Sequence, residues 1–498
     1  MSGWRQLFVM VLALAAADPP VTIESAVETL RNGANLEIAG ERICAAHPLP
    51  LFYARRKFQP AWSGRDQDAL VDAVRHADDD GLNPADYHLA AIELLQRDSS
   101  KGAERDVLLT DAFFLMASHL LAGRTDPVTI EPTWCLESRT SDIVPALETA
   151  LENHDVAATL ARFRSAHKGY VQLRAHLARY RRMPPWLLID EGPSLRVEAS
   201  GARVQQLVAR LAASGELDVS YSTFDATVRD AVQRFQSTHG LEADGIAGVR
   251  TIRELNVPLA KRIRQIELNL ERWRWLPAGL GARHALINIP QFQLSVVEAE
   301  RIVMTMRVVV GKDFTHRTPV FSSEIKEVVF SPDWDVPESI AAKEMWPKQR
   351  RDPMFFAREH IEILASGRLR QKPGPWNALG LLKFNLPNPY AVYLHDTPAR
   401  ELFGRSVRTF SHGCIRIEKP VNLAAYLLRE SARWTVERIV TESQKGVEHT
   451  VAVPNPLPVH VLYWTAFVDE AGELHFAPDV YDRDNVLDRA MRKPAPRI

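Results

Sequence analysis

Ser-His-Gly-Cys-Ile-Arg at residues 411–416, preceded by His395, is the stretch on which the interpretation of the whole chain depends. A cysteine attacks a carbonyl as its thiolate, and a free thiol, with a pKa of about 8.5, is mostly protonated near neutrality. A histidine such as His395, brought beside Cys414, would take the thiol proton and stabilise the thiolate as an ion pair. Gly413 permits a tight turn that could direct backbone amides towards a developing oxyanion.

Two other interpretations of these residues stay open at this point. An isolated cysteine is commonly a small buried apolar residue. His395, His412 and Cys414 could instead supply three ligands of an incomplete zinc site. These residues alone do not distinguish a nucleophile from a buried apolar cysteine or a metal ligand, so the surrounding sequence has to be considered.

The motif lies in a region whose apolar periodicity is that of strands. From residue 285 onward, β-branched and apolar runs alternate with turn signals, which predicts a mainly β domain over residues 283–468. The runs are 285–290, 292–297, 302–310, 325–330 and 458–468. A polar, proline-containing segment at about 339–374 interrupts them and is predicted to form an inserted lid. Residues 420–430 predict a helix, and residues 469–498 are expected to form a C-terminal tail.

The preceding part of the chain, residues 23–183, has helical periodicity and predicts a helical scaffold. Trp62 is interpreted as part of its core, with carbohydrate stacking as the alternative. Prolines at 184, 185 and 193 mark a boundary, after which residues 197–258 predict a small three-helix module. The expected fold class is therefore multidomain α+β, with a helical scaffold, a three-helix module and a mainly β domain carrying the lid.

The N-terminus has the layout of a secretory signal peptide over residues 1–17. Arg5 precedes an apolar run, and small residues at 15–17 resemble a cleavage site. The run is short for a permanent membrane helix, although an uncleaved anchor is the alternative. We therefore expect an exported chain with no permanent membrane span.

Composition limits the classes of partner. The 498 residues suggest about three domains. The 61 basic and 62 acidic residues leave a net charge of −1, so no general attraction to nucleic acid or to anionic membrane is expected. In an oxidising compartment, an odd cysteine count leaves one free thiol, for which Cys414 is the natural candidate. A disulfide between Cys44 and Cys135 stays open, because the sequence does not give their separation.

Residues 228–251 resemble the peptidoglycan-binding domain 1 family. The resemblance rests on Phe235, Gly240, the Asp-Gly pair at 244–245, and Gly248. It implies a three-helix module that binds cell-wall glycan or peptide, whereas a spacer without a ligand is the alternative.

His395 followed by Ser-His-Gly-Cys at 411–414 resembles the L,D-transpeptidase (YkuD) catalytic domain. The similarity extends through residues 373–398 and is closest to the YcbB-type branch, whose members also carry a scaffold domain and a peptidoglycan-binding domain. Residues 109–112 and 123–127 are similar to that scaffold domain. The part of the lid between residues 353 and 373 is shorter than this branch leads us to expect.

The resemblance assigns roles to the central residues. Cys414 would attack the carbonyl after the third residue of a tetrapeptide stem, with D-alanine leaving, and His395 would act as base and then as acid. The backbone carbonyl of Asp396 would orient His395, although a role for its side chain stays open. The amides of Gly413 and Cys414, with His412 nearby, would hold the oxyanion.

The remaining site residues are expected to support the loop or to bind substrate. Ser411 would stabilise the loop by hydrogen bonding. Arg416 offers a bidentate fork for a substrate carboxylate, with a structural ion pair as the alternative. Tyr393 and Asn377 lie in the region of similarity at residues 373–398 and are also expected to contact substrate.

An amine of a neighbouring stem would then resolve the thioester and form a 3→3 cross-link. The expected partners are peptidoglycan stem peptides and glycan strands in the periplasm, with carbapenem-type β-lactams as inhibitors that acylate the thiol. Water as acceptor would make the protein an L,D-carboxypeptidase, and a protein amine would make it a lipoprotein-anchoring transferase. A non-catalytic wall-binding protein is a further alternative. The spacing of His395, His412 and Cys414 fits no usual zinc pattern, so neither a metal nor a cofactor is expected.

Overall fold

The computed structural model describes residues 21–217, 221–312 and 316–498. The predicted signal peptide at 1–17 lies outside the described residues. Within the described ranges, no helix is both long enough and apolar enough to cross a membrane.

The N-terminal region is a helical domain around its own apolar core. Its central helix, α5 (Gly102–Ala122), is buried on most sides, so its apolar residues are not confined to one stripe. Trp62 packs against this core and donates from Nε1 to Thr110 Oγ1 at 2.9 Å, as predicted for a core residue. The elements are α1 (Ile23–Arg31), β1 (Glu37–Ile38), β2 (Glu41–Arg42), α2 (Pro48–Arg55), α3 (Gly64–Arg75), α4 (Leu89–Leu95), α5 (Gly102–Ala122), α6 (Pro127–Ile130), α7 (Ile143–Asn153), α8 (Val156–Arg162) and α9 (Lys168–Arg181), with 3-10 turns at Ala77–Asp80, Pro84–Tyr87 and Ser99–Lys101.

A second, smaller core belongs to the predicted three-helix module. Asp225 caps the start of its central helix by accepting a hydrogen bond from the amide of Val228 at 3.0 Å. Gln236 bonds to the Asp-Gly turn at 244–245, which fixes the turn against this helix. The helices are α10 (Ala202–Ser214), α11 (Ala226–Thr238) and α12 (Val249–Leu255), followed by the connecting helix α13 (Leu259–Arg274).

Helix α13 joins the helical and β parts of the molecule. Trp273 stacks on Trp464 of the β domain, with ring centroids 4.2 Å apart. On another side, Glu271 Oε1 accepts from the amide and hydroxyl of Thr125 in the scaffold at 2.7 and 2.8 Å. Gly123 allows this approach, because a Cβ there would lie 2.7 Å from the Trp275 ring, and its φ is +97°. The helix therefore contributes to the packing of both domains.

The C-terminal part is mainly β, as predicted. Within the described residues, nine strands pair in the order β12-β5-β13-β11-β10-β6-β14-β3-β4, and β4 also pairs with β5. The strands and helices are β3 (Arg283–Asn288), β4 (Gln293–Glu298), β5 (Arg301–Gly311), β6 (Phe321–Phe330), β7 (Trp334–Asp335), α14 (Glu338–Ile340), α15 (Trp346–Arg351), α16 (Phe355–Arg358), β8 (Ile361–Ile363), β9 (Leu369–Gln371), β10 (Leu382–Asn385), β11 (Leu394–His395), β12 (Thr409–Ser411), β13 (Ile415–Ile417), α17 (Pro420–Leu428), α18 (Val436–Ser443), β14 (His449–Leu462), β15 (Ala466–Val468), β16 (Leu474–Phe476) and α19 (Arg483–Met491), with a π-helical turn at Ala341–Met345 and a 3-10 turn at Arg400–Gly404.

The lid has a small core of its own rather than lying loosely over the sheet. Strands β8 and β9 pair with each other, and β9 also pairs with β7 just before the lid. Ile340, Phe356, Ile361 and Leu369 form this core together with Trp334. The lid is therefore a folded unit that can hold side chains in fixed positions over the sheet.

The chain returns to the scaffold at its C-terminal end. Arg497 donates to Ala34 O, and the amide of Ile498 donates to Cys44 O at 2.9 Å. Residues 469–498, expected to be a tail, include strand β16 and helix α19, and α19 ion-pairs with α13 through Asp488 and Arg264.

Candidate active site

Strands β10, β11 and β13 lie side by side and present three polar residues in one row. Lys383 is in register with His395, and His395 is in register with Arg416. Side chains alternate between the two faces of a strand, so these three point to one side of the sheet. The intervening residues Leu394 and Ile415 are fully buried in the core on the other side.

Cys414 joins this face because it lies two positions before Arg416. Its loop is tight, and Gly413 has φ +117°, a conformation that L side chains rarely adopt. Ser411 Oγ accepts from the amide of Gly413 at 3.1 Å and donates to the carbonyl of Cys414. Thr318 Oγ1 donates to the carbonyl of Gly413 at 2.8 Å. The loop is thus fixed from inside and from a neighbouring segment.

His395 is held in one tautomer. Its Nδ1 lies 2.6 Å from the carbonyl oxygen of Asp396, which can only accept, so Nδ1 carries the proton and Nε2 is left as the basic nitrogen. The Asp396 carboxylate instead accepts from the amide of Leu381 at 3.0 Å and from Arg400 at 3.2 Å. Of the two possibilities left open for Asp396, the structure has the backbone carbonyl in contact with the imidazole.

Burial and nearby cations keep His395 neutral. Burial lowers the pKa of His395 to about 3, and the charges of Arg416 and Lys383 act in the same direction. Burial also raises the pKa of the Cys414 thiol, although hydrogen bonds with Tyr393 and the charges of Lys383 and Arg416 oppose this. Both pKa shifts favour a neutral thiol and a neutral imidazole over the ion pair that the sequence suggested.

Tyr393 and Ala391 surround the sulfur. The Tyr393 hydroxyl bonds to the Cys414 thiol, and its pKa is raised by burial and by Cys414. The thiol also lies 3.7 Å from the carbonyl oxygen of Ala391, to which it donates. Lys383 Nζ stands 4.5 Å from the centre of the Tyr393 ring. These contacts hold the sulfur in the wall of an open cavity.

That space is a cavity of about 1440 Å³ between the sheet and the lid. Cys414, His395 and Arg416 line it from the sheet, and Trp346 and Glu344 line it from the lid. Glu344 Oε1 lies 2.7 Å from His412 Nε2, so a lid carboxylate is bonded to the loop of the nucleophile. A cavity of this size accommodates peptide-sized ligands.

Arg416 is half-buried and has no partner within the described parts of the chain. Its Nε is buried without a hydrogen-bond acceptor, and burial lowers the pKa of its guanidinium. Of the two interpretations of Arg416, a structural ion pair is not formed among the described residues. Arg416 therefore lines the cavity without an internal partner among the described residues.

Asn377 is a correction to the expected set of substrate contacts. It is 0% exposed, and its Nδ2 lies within hydrogen-bond distance of the carbonyls of Pro332, Gln371 and Lys372 at 3.0 to 3.2 Å. Its Oδ1 accepts from the amide of Leu379 at 2.8 Å. With its whole amide used in this way, Asn377 stabilises the end of the lid and does not reach the cavity.

The other cysteines do not form the disulfide that was left open. Cys44, Cys135 and Cys414 are free thiols in this structure. Cys44 is buried in the scaffold core, where its sulfur lies 3.8 Å from Ala495 O. Cys135 is exposed, beside Ser322 of the β domain.

Sequence reasoning missed two residues that face the cavity. Lys383 could have been found, because it stands between the apolar residues Leu382 and Phe384 in a period-two pattern. Glu344 could not, since it comes from the lid and is brought to His412 by tertiary folding alone.

Comparisons with known proteins match three parts of the chain to family models. The model described as "Scaffold domain" matches residues 47–177, and "Putative peptidoglycan binding domain" matches residues 200–255. The model described as "L,D-transpeptidase catalytic domain" matches residues 282–445, which include His395 and Cys414.

A relative in Haemophilus influenzae, named "Putative L,D-transpeptidase", is 33% identical over 248 residues, covering 45% of this chain and 49% of its own length. The chain thus spans about half the length of this curated relative. Among solved structures, an L,D-transpeptidase from Mycobacterium smegmatis is 15% identical with a TM-score of 0.21, covering 36% of this chain and 58% of that one. L,D-transpeptidase 3 from Mycobacterium tuberculosis, in complex with a faropenem-derived adduct, is 16% identical with a TM-score of 0.19, covering 36% and 60%.

Proposed function

We propose that this chain, which carries a scaffold domain, a peptidoglycan-binding domain and an L,D-transpeptidase catalytic domain in that order, is an exported transpeptidase that forms 3→3 cross-links in peptidoglycan. The acyl donor is a tetrapeptide stem, and D-alanine is the leaving group. The protein acts in the periplasm, associated with the cell wall. This proposal rests above all on one observation: Cys414, His395 and an unpartnered Arg416 share one face of the sheet beneath a cavity.

In the first half-reaction, His395 Nε2 takes the proton of the Cys414 thiol as the sulfur attacks the carbonyl of the third stem residue. The carbon–sulfur bond forms, and the carbonyl electrons move to oxygen. The oxyanion accepts from the amide of Cys414, since the amide of Gly413 is bonded to Ser411 in this structure. His395 then gives its proton to the amine of D-alanine, and the peptide bond breaks.

Arg416 binds a carboxylate of the donor. Its guanidinium is half-buried and available, and a charged donor oxygen would compensate the cost of burying it. Tyr393 restrains the thiol next to His395 by its hydrogen bond to sulfur. In the second half-reaction, an amine of a neighbouring stem displaces Cys414 from the thioester.

Product analysis tests this function directly. In cells that lack their own L,D-transpeptidases, the wild-type chain should increase 3→3 muropeptide dimers, and Cys414→Ala should not. Cys135→Ala is the matched control, because it removes an exposed thiol away from the cavity and should keep full activity. Accumulation of tripeptides without such dimers would refute cross-linking and favour the carboxypeptidase.

Carbapenem acylation tests the nucleophile separately from the acceptor. The strained β-lactam carbonyl offers Cys414 the same attack as the donor stem. Intact-protein mass spectrometry should find one carbapenem adduct on the wild type and on Cys135→Ala, and none on Cys414→Ala. An adduct that persists in Cys414→Ala would remove the assignment of Cys414.

A further inference from the structure

A lid carboxylate and a histidine form a pair beside the nucleophile that the proposed first half-reaction does not use. Glu344 belongs to the π-helical turn at Ala341–Met345, and its Oε1 lies 2.7 Å from Nε2 of His412. The side chains of Glu344 and His412 are 38% and 25% exposed, and both line the cavity with Cys414. The pair is therefore reachable by a ligand that approaches the thioester.

The bond to Glu344 determines which ring nitrogen of His412 carries a proton. A carboxylate only accepts, so Nε2 of His412 carries the shared proton, and Nδ1 of the neutral ring is the nitrogen that can take another. His316 packs edge-to-face on the same ring, with centroids 4.8 Å apart. Burial raises the pKa of Glu344, but the hydrogen bond from His412 and the charges of Lys312 and Lys348 outweigh it, so the pKa of this carboxyl is lowered and it is ionised near neutrality.

The two histidines next to Cys414 differ in the sign of their nearest charge. His395 is flanked in the row of strands by Lys383 and Arg416, which favour a donor carboxylate and repel an ammonium group. His412 is in direct contact with the negative charge of Glu344. Lys312, Lys343 and Lys348 also surround this side, but they are exposed, so water and salt screen them more strongly than the contact pair.

The second half-reaction needs a base for the acceptor amine. The acceptor amine is an ammonium ion near neutrality and has no lone pair until it loses a proton. His395, held between two cations, is poorly placed to receive that ammonium. A neutral imidazole joined to a carboxylate combines attraction for the cation with a site for its proton.

We propose that Glu344 and His412 form the acceptor subsite, in which Glu344 binds the acceptor ammonium and Nδ1 of His412 removes its proton. This inference rests on the proposed function and names the recognition of its second substrate. The resulting imidazolium is stabilised by the carboxylate that oriented it.

The step balances without any further reactant. His412 takes one proton from the ammonium, and the free amine attacks the thioester carbonyl, forming the carbon–nitrogen bond. The tetrahedral intermediate collapses as the carbon–sulfur bond breaks, and the second amine proton passes through His395 to the Cys414 thiolate. The proton on His412 is released to water, so the enzyme returns to its initial state.

The test separates binding of a charged acceptor from donor chemistry. Glu344→Gln keeps the size and hydrogen bonding of the side chain but removes its charge. Its acylation by a tetrapeptide donor, followed by mass spectrometry, should stay within about twofold of the wild type. Transfer to an acceptor peptide amine should fall about 10- to 100-fold, the range for loss of a charged hydrogen bond. Transfer to hydroxylamine, which is uncharged at neutral pH, should be unchanged.

Glu362→Gln is the matched control. Glu362 lies in the same lid, pairs with Lys372 at 3.3 Å and does not line the cavity, so its variant should transfer to both acceptors like the wild type. If Glu344→Gln slows transfer to both acceptors equally, Glu344 only positions the lid and the subsite is wrong. Unchanged transfer to the ammonium acceptor would also overturn it. A wild-type protein that is never acylated by donor would instead refute the proposed function, and this subsite with it.

Discussion

Two arginines show that the molecule treats buried charge in two different ways. At the junction of α13 with the scaffold, Arg274 is fully buried and donates to Glu271 Oε2 at 3.1 and 2.7 Å and to Asp80 O at 2.6 Å. On the cavity wall, Arg416 has no partner among the residues that the structure describes. Burial lowers the pKa of both, but the charge of Glu271 outweighs it at Arg274, whose pKa is raised, whereas that of Arg416 is lowered.

The difference separates a charge that holds two domains together from a charge that we propose binds a ligand. Taking a cation out of water costs several kcal/mol unless a partner compensates it. The cost of Arg274 is compensated within the chain, so its contribution is cohesion between the domains. Arg416 is half-buried and has no anionic partner among the described residues, so binding of an anion would offset the cost that its partial burial imposes.

The largest expected effect comes from breaking the buried ion pair between Glu271 and Arg274. Glu271→Gln leaves Arg274 buried without its counter-charge, so the free energy of unfolding should fall by about 3–5 kcal/mol. Urea denaturation followed by tryptophan fluorescence would measure this, since Trp273 and Trp275 adjoin the pair. Glu242→Gln, at an exposed position, should change stability by less than about 0.5 kcal/mol. Equal stabilities of the two variants would show that the junction does not depend on the ion pair.

Removing Arg416, the unpaired cation, should lower activity without lowering stability, which is the reverse of the effect expected for Glu271→Gln. Arg416→Met should lower kcat/KM for a tetrapeptide donor by about 100- to 1000-fold, because a bidentate charged contact to substrate is lost. Stability in urea should be unchanged or higher, since no internal partner is abandoned. Arg416→Lys should restore part of the activity as a single charge without the planar fork. A stability loss of several kcal/mol in Arg416→Met would identify a structural role instead.

Histidines extend the comparison to pH. His88 in the scaffold contacts Asp111 and Glu41, which outweigh burial and raise its pKa, whereas burial lowers the pKa of His395 to about 3 and of His119 to about 3. Below about pH 6.5 the unfolded chain protonates these last two groups while the folded chain does not. Stability should therefore fall as pH decreases from about 6.5 towards 3, by about 2 kcal/mol per group at pH 5.

Urea midpoints measured between pH 7 and pH 4 would check this expectation. His395→Gln should remove part of the slope, because glutamine has no proton to gain on unfolding. A variant with the same slope as the wild type would contradict the neutral state assigned to His395.

The long elements were predictable from the sequence because their periodicity is local. The apolar runs at 285–290 and 302–310 correspond to β3 and β5, and the helix at 420–430 corresponds to α17. The short strands β10, β11 and β13 were not recognised, since two to four residues carry too little alternation. These are the strands that place the reactive residues side by side.

The site residues show the same contrast between local sequence patterns and contacts made only by tertiary folding. Cys414, His395 and the Asp396 carbonyl follow from one motif and its neighbours in sequence. The neutral state of His395 depends on burial and on Lys383 and Arg416 across two strand pairings, which a motif does not encode. Asn377 was misassigned because its burial depends on how the lid packs, and Glu344 was missed for the same reason.

The smallest expected effect tests whether Lys383 shares the role of Arg416. Lys383 occupies the position on the other side of His395 and is half-buried, as Arg416 is, but it is a single point charge without the planar fork that holds a carboxylate. Lys383→Met should therefore reduce kcat/KM at most about fivefold, the scale of a weak single-charge contact. Loss of this cation should also raise the pKa of His395 and of the Cys414 thiol, since Lys383 lowers both, so the pH profile of donor acylation should move to higher pH. A pH profile that does not move would mean that, of the two cations, Arg416 alone lowers the pKa values of His395 and Cys414.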